Sequence, residues 1–220
     1  MINNHPDTDL LAEYTAGALA LAPSISVTTH LEFCHACKGV VEALKHLGGE
    51  MLEQAEAIPV SDALLEKIFA CIEGSNTSED APPTMPNTTD DVAGSIPSYL
   101  QKFLPEGDLR WKFLSPSVKV APISVGEKVH ELALHKIKIG GKVPEHNHLG
   151  QEITVVLKGS FSDENGVYQQ GDFIVRETGE IHQPIAATHE ECICLSVLAA
   201  PFELTGLKGL LNPFLSFSPS

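Results

Sequence analysis

The hydrophobic pattern of the first 75 residues is helical. Asp7 is a good N-terminal cap, and it precedes apolar residues spaced three and four apart. A first helix is therefore predicted after Asp7. Its apolar positions are Leu10, Leu11, Tyr14 and Leu19.

Two more helices are predicted in this part of the chain. Pro23 and the SISVT stretch that follows interrupt the helical pattern. Thr29 and Glu32 then form a capping box, so a second helix is expected to begin near His30. A third helix is predicted over 61–74, where a glycine provides the stop signal.

The pattern changes after residue 75. Residues 75–91 are polar and proline-rich, which predicts a flexible linker, and 96–104 read as one short amphipathic helix. From about Trp111, short alternating apolar runs separated by glycine-bearing turns predict an all-β barrel or sandwich. We therefore expect an α + β protein with two domains that behave as independent units. The predicted regions are a helical domain at 1–75, a linker with its helix at 76–110, a β domain at 111–205 and a tail at 206–220.

The charge of the chain limits the partners it can have. The 29 acidic and 14 basic residues give a formal net charge of −15. Residues 1–85 carry 13 acidic and 3 basic side chains, so the predicted helical part is the most acidic. Phosphates would repel such a surface, so we expect no direct binding of nucleic acid and a basic protein partner instead.

The five cysteines do not form a recognisable disulfide framework, which favours a reducing compartment. The first residues lack lysine and arginine, and no apolar run approaches membrane-spanning length. We therefore expect a soluble, cytoplasmic protein that does not associate with a membrane.

The first candidate site is HLEFCHAC, which contains His30, Cys34 and Cys37. On one helix these residues would share a face and supply three of the four ligands of a tetrahedral zinc site. His5, which precedes the first helix, is the candidate fourth ligand. A small helical unit has a marginal core, so zinc would contribute folding free energy. Two alternatives stay open, namely two simple buried thiols and a redox-active pair.

The second candidate site lies in GGKVPEHNHLGQEITVVLKG and GDFIVRETGEIH. His146 and His148 alternate on a strand and face the same way, and a hairpin partner can bring Glu152 beside them. His182 would arrive from a strand further along. Three imidazoles and a carboxylate suit a divalent transition metal, whose identity stays open among zinc, iron, manganese and nickel.

These two segments resemble the two motifs of the cupin family. The resemblance implies a double-stranded β-helix barrel with the metal inside. Cys192 and Cys194 alternate on a predicted strand of this barrel, and we expect both to point inward, near the metal.

The whole chain resembles the ChrR family of zinc-dependent anti-sigma factors. The resemblance rests on the HxxxCxxC helical unit, the linker, the helix IPSYLQKFL and the cupin motifs, with further matches in SFSDENGVYQQGDFIV and CICL. It implies a protein that inhibits a cytoplasmic extracytoplasmic-function sigma factor and releases it in response to singlet oxygen or a hydroperoxide. The ligands implied are His5, His30, Cys34 and Cys37 for zinc, and His146, His148, Glu152 and His182 for the cupin metal, reported as zinc in the family.

The alternative is a metal-dependent cupin enzyme, either a dioxygenase or an isomerase, with a helical oligomerisation module. No second catalytic group is evident near the predicted metal ligands. We therefore expect a regulator and no catalytic residues. Co-purification of a sigma factor would distinguish the regulator from an enzyme that consumes oxygen with a small substrate.

Overall fold

The computed structural model describes residues 2–74, 92–97, 99–104, 109–205, 217 and 219. The predicted linker at 75–91 and most of the predicted tail at 206–220 lie outside these residues. Four helices precede the β-strands. Their bounds are Thr8–Thr15 (α1), Leu21–Phe33 (α2), His35–Glu53 (α3) and Asp62–Gly74 (α4).

The first and third predicted helices are present as α1 and α4, but α1 ends at Thr15, so Leu19 lies beyond the helix to which it was assigned. Asp7 caps α1, because its carboxylate accepts a hydrogen bond from the Leu10 amide at 2.7 Å.

The predicted start of the second helix is wrong, because α2 begins at Leu21 and not near His30. Thr29 lies inside α2, where its hydroxyl donates to the Ile25 carbonyl at 2.7 Å and caps nothing. Most of the circumference of α2 is buried in the protein. Burial of this surface outweighs the weak helix propensity of the β-branched residues that suggested an interruption.

A single residue separates α2 from α3. Cys34 has an extended backbone conformation, with φ −112° and ψ 101°, and its sulfur accepts a 3.5 Å hydrogen bond from the Cys37 amide. Cys34 therefore ends one helix and caps the next.

From Lys112 onward, the described residues contain twelve short strands. They are Lys112–Ser115 (β1), Val118–Ile123 (β2), Glu131–Ile137 (β3), His146–His148 (β4), Glu152–Lys158 (β5), Ser160–Asp163 (β6), Gly166–Gln169 (β7), Phe173–Arg176 (β8), Ile181–His182 (β9), Ile185–Ala186 (β10), Cys192–Leu198 (β11) and Phe202–Leu204 (β12). One sheet has the order β1-β2-β3-β11-β5-β8, and two three-stranded sheets have the orders β10-β6-β7 and β12-β4-β9. The predicted all-β character of the C-terminal half is confirmed.

The large sheet is covered by α2 on one face and encloses a cavity with the other. Successive side chains of a strand point to opposite faces. On β5, Ile153, Val155 and Leu157 belong to the same buried cluster as Val27 and Leu31 of α2. The intervening Thr154, like Glu152, lines the cavity.

The two halves therefore share one apolar core, which differs from the expected pair of independent units. The predicted domain boundaries themselves stay a prediction.

The stretch at 96–104 also differs from the single amphipathic helix that was predicted. Its described residues include the short 3₁₀ turn Leu100–Phe103, preceded by another at Ala93–Ser95. Ile96 and Leu100 are buried in the shared core, and the Tyr99 hydroxyl donates to the Ile25 carbonyl at 3.2 Å. This stretch therefore packs against α2.

Candidate metal centres

The first predicted ligand set comes together at the junction of α2 and α3. His30 lies in the last turn of α2, Cys37 in the first turn of α3, and Cys34 between the two helices. His5 approaches from the segment before α1. The four ligand atoms lie within 4.8 Å of one another. We call these four residues the helical cluster.

The backbone conformation that brings these four residues together differs from the predicted one. His30, Cys34 and Cys37 do not share the face of one helix, because the chain leaves the helical conformation at Cys34. The break turns the two thiols and the imidazole toward a common point. An uninterrupted helix would place them along a stripe about 10 Å long.

The donor atoms of the helical cluster fit a tetrahedral zinc site. The Nδ1 atom of His5 lies 3.4 Å from each cysteine sulfur, and the Nε2 atom of His30 lies 3.3 Å from the Cys37 sulfur. Usual zinc–nitrogen and zinc–sulfur bond lengths place tetrahedral ligand atoms roughly 3.3–3.8 Å apart. His30 also donates from its Nδ1 to the Gly171 carbonyl at 2.7 Å, which leaves the Nε2 lone pair facing the thiols.

The electrostatics of the helical cluster favour a neutral imidazole and call for a cation. Burial lowers the pKa of His30. Burial, together with the Cys34 thiol, raises the pKa of Cys37 to about 12. Two thiolates this close repel each other unless a metal ion lies between them, so metal binding would have to displace their protons.

The second predicted ligand set is brought together by strand pairing. His146 and His148 lie at the two ends of β4, and His182 on β9 is the register partner of His146. Glu152 is the first residue of β5. The Nε2 atom of His182 lies 3.1 Å from that of His146 and 3.1 Å from that of His148. A Glu152 carboxylate oxygen lies 3.4 Å from the His148 Nε2. We call these four residues the cupin cluster.

Two outer hydrogen bonds orient the imidazoles of the cupin cluster. His146 donates from Nδ1 to the Pro144 carbonyl at 2.8 Å, and His182 donates from Nδ1 to the Asp163 carboxylate at 3.0 Å. Both rings therefore direct an Nε2 lone pair inward, as metal-binding histidines do. Burial lowers the pKa of His146 to about 4, which keeps it neutral. Inward lone pairs this close repel one another without a cation, so the set fits a divalent metal.

A cavity of about 500 Å³ opens beside the cupin cluster. Its wall is largely apolar and includes Phe113, Ile137 and Phe202. Cys194 also lines it, and the Cys192 and Cys194 sulfurs lie 3.6 Å apart in the interior of the barrel. The inward orientation predicted for both cysteines is confirmed. The hydrogen bond with Cys192, followed by burial, raises the pKa of Cys194, so it is a protonated thiol at neutral pH.

Several residues near the two clusters were missed in the sequence. Asp163 and Gly171 bond to cluster histidines from loops and strand ends that carry no ligand motif. His135 also lines the cavity, although no ligand motif marks it in the sequence. Its position on β3 in alternation with Ile137, another cavity residue, was the available signal.

The comparisons with known proteins agree with this architecture. Residues 102–200 match the family described as the ChrR cupin-like domain. The chain is 31% identical over 214 residues to the anti-sigma-E factor ChrR of Cereibacter sphaeroides, with 97% of this chain and 98% of that protein covered. A crystal structure of Rhodobacter sphaeroides SigE in complex with the anti-sigma ChrR matches with a TM-score of 0.74 and 30% identity. That match covers 90% of this chain and 100% of the other.

Fold and matches together define the class: a helical unit with a four-residue His/Cys cluster, joined to a cupin barrel. Within that class, the chain belongs to the ChrR family of anti-sigma factors. The predicted family and the predicted fold are confirmed, and an anti-sigma factor is favoured over the alternative of a metal-dependent enzyme. Among the described residues, none of the helices is long and apolar enough to cross a membrane.

The two clusters predict the metal content of the purified protein. We expect about two metal ions per chain, because each cluster supplies one four-ligand site. Cys37→Ser and His148→Ala should each remove about one ion, measured by elemental analysis of protein prepared without chelators. The matched controls Cys71→Ser and His189→Ala change exposed residues outside both clusters and should keep both ions. A wild-type protein with no metal, or a Cys37→Ser variant with unchanged content, would contradict the assignment.

Proposed function

We propose that this chain is a cytoplasmic anti-sigma factor that binds an extracytoplasmic-function sigma factor and keeps it from directing transcription. Support comes from membership of the ChrR family and from the matching structure, in which ChrR is in complex with SigE. The observation that carries the proposal is a set of exposed apolar residues on two helices of the helical half.

We call these residues, which lie on α4 and on the C-terminal part of α3, the apolar face. On α4, the exposed apolar residues recur at one- and three-residue steps, so they occupy one side of the helix. They are Leu64, Leu65, Ile68, Phe69 and Ile72. Leu47, Met51 and Leu52 of α3 are also exposed, Leu52 at 76%. A helix of this length is marginal in water without packing, and a large exposed apolar surface is typical of an interface.

Charge supports the same partner. The helical half lies within the strongly acidic residues 1–85, which carry 13 acidic and 3 basic side chains. A sigma factor needs basic surfaces to bind promoter DNA. An acidic surface around an apolar face can cover such a partner and orient its approach by electrostatic complementarity.

The proposed metals have different roles. Zinc in the helical cluster would join the segment before α1 to the α2–α3 junction, and its binding free energy would stabilise the helical half. Two thiolates and two imidazoles are typical zinc ligands. For the cupin cluster we propose a divalent transition metal and do not restrict it to one ion, because His₃Glu ligation suits several ions. Zinc is the first candidate.

We further propose that the cupin half receives an oxidative signal, from singlet oxygen or a hydroperoxide, and that the sigma factor is then released. Support comes from the position of oxidisable groups. Cys194 lines the cavity that also contains His146 and His182, and Cys192 lies beside it. The cavity gives a small oxidant access to these side chains.

The sigma-binding face can be tested by introducing charge into α4. Ile68→Asp or Phe69→Asp should weaken sigma-factor binding about 30-fold, since losing a central apolar contact costs roughly 2 kcal/mol. The matched control is Ala70→Asp, which places the same side chain on the opposite side of α4. Affinity measured by calorimetry with co-expressed candidate sigma factors from the same cell tests this. Equal affinity for all three variants and the wild type would show that α4 is not the interface.

The sensing role predicts a separation of inhibition from release. The double variant His146→Ala/His148→Ala should still repress a sigma-dependent reporter, because the apolar face on α3 and α4 is unchanged. Its induction by a singlet-oxygen source should be strongly reduced, whereas His189→Ala, an exposed histidine outside the cupin cluster, should respond normally. Normal induction in the double variant would remove the proposed sensing role.

A further inference from the structure

One segment of the barrel contacts a histidine of each cluster. This segment runs over residues 160–176 and contains β6, β7 and β8. Near its start, Asp163 accepts the hydrogen bond from His182 of the cupin cluster at 3.0 Å. In the turn between β7 and β8, the Gly171 carbonyl accepts the hydrogen bond from His30 of the helical cluster at 2.7 Å. The outer partners of both clusters therefore belong to the same stretch of chain.

The turn at Gly171 is hydrogen-bonded to the N-terminal segment of the helical half. Asp172 is fully buried, and one of its carboxylate oxygens accepts hydrogen bonds from the backbone N–H groups of Asn3 and Asn4 at 2.8 and 3.0 Å. Its other carboxylate oxygen accepts a hydrogen bond from the backbone N–H of Gln169 at 2.9 Å, which fixes the turn. The backbone N–H of Phe173 also donates to the backbone carbonyl of Asn4 at 3.0 Å. Asp172 thus positions the residues just before His5.

Glycine is required at this turn. Gly171 has φ +90°, and a Cβ atom there would lie 2.8 Å from the Cβ of Phe33 and 2.7 Å from the Cδ1 of Ile2. No side chain fits between the turn and the α2 terminus without displacing one of them. The close approach is what allows the Gly171 carbonyl to reach His30.

Strand β8 connects this turn to the cupin cluster. At its far end, Arg176 donates to the Asp163 carboxylate at 2.6 Å and to the Tyr168 hydroxyl at 2.7 Å. Asp163 therefore binds Arg176 and His182 at once, and its carboxylate is fully buried. Arg176 is also the register partner of Glu152 across β5 and β8. His182 is thus linked through Asp163, and Glu152 through strand pairing, to the strand that directly follows the Gly171 turn.

We propose that segment 160–176 couples the two clusters, so that a metal in the cupin cluster increases the metal affinity of the helical cluster. This inference rests on the proposed metal binding at both clusters. Ligation of His182 and Glu152 holds Asp163, Arg176 and β8 in one arrangement, and that arrangement presents the Gly171 carbonyl and Asp172 to the helical half. Such pre-organisation reduces the ordering cost of His30 and His5 when they bind metal. Linkage requires the effect to be reciprocal.

The expected coupling is modest and leaves inhibition in place. Couplings between sites typically change affinity by about 5- to 150-fold, and we expect a value on the order of tenfold here. Zinc sites of this kind are tight enough that a tenfold weaker site stays filled. Loss of the cupin metal would therefore weaken zinc binding at the helical cluster without emptying it.

Cobalt titration of the full-length protein tests the proposal. Only the helical cluster contains sulfur ligands, so the thiolate-to-cobalt charge-transfer band reports that site alone. His182→Ala and Asp163→Asn alter no residue of the helical cluster, yet each should weaken its cobalt affinity about tenfold. Asp172→Asn should do the same. Asp9→Asn is the matched control, because it makes the same change at an exposed carboxylate on α1, and the cobalt affinity of this variant should equal that of the wild type.

A second measurement, of metal affinity at the cupin cluster, distinguishes coupling between the sites from general destabilisation of the protein. In Cys37→Ser, a chelator competition should show that the cupin cluster has also lost metal affinity, because the coupling is reciprocal. A weaker cupin site in Cys37→Ser supports the coupling, whereas an unchanged cupin affinity overturns it. A normal wild-type band with unchanged affinity in His182→Ala and Asp163→Asn would overturn the coupling but leave the metal sites standing. Absence of the band in the wild type would overturn both.

Discussion

The imidazole of His30 bonds to both halves of the molecule, and much of the structure depends on this arrangement. Its Nε2 atom faces the Cys37 sulfur at 3.3 Å, and its Nδ1 atom donates to the Gly171 carbonyl of the barrel at 2.7 Å. The side chain is fully buried, so neither bond is weakened by water. A buried imidazole between a thiol and a carbonyl fixes the end of α2 against the barrel. It thereby fixes the point from which α3 departs.

This arrangement separates the proposed partner surface from the proposed metal sites. The clusters lie at the buried α2–α3 junction and inside the barrel, whereas α4 and the end of α3 expose their apolar side chains. An inhibitor needs such a surface to remain available, and a sensor needs its reactive groups to be shielded from bulk solvent. The segment at 160–176 connects the two clusters, since it contacts a histidine of each.

The ligand sets could be predicted because ligand chemistry demands particular residue types at short spacings. Both predicted sets lie together in the structure. The helix boundary at Cys34 could not be predicted, because α2 is stabilised by burial against β5 and β11 and not by local propensity. Asp163, Gly171 and Asp172 could not be predicted as partners either. Their contacts span up to 169 positions in the sequence, and no local pattern encodes such a distance. The shared core was missed for the same reason, since a polar stretch at 75–91 predicts only that two segments are tethered.

Hydrogen exchange measured by mass spectrometry tests most directly whether the helical metal site and the barrel turn form one unit. The experiment uses full-length His148→Ala protein, in which the cupin cluster is already disabled, and compares it before and after treatment with a metal chelator. If His30 joins the two halves as described, amide protection should fall at 169–176 and at 2–5 together with 30–37, while β3 and β11 stay protected. Loss of protection confined to 30–37 would contradict this account.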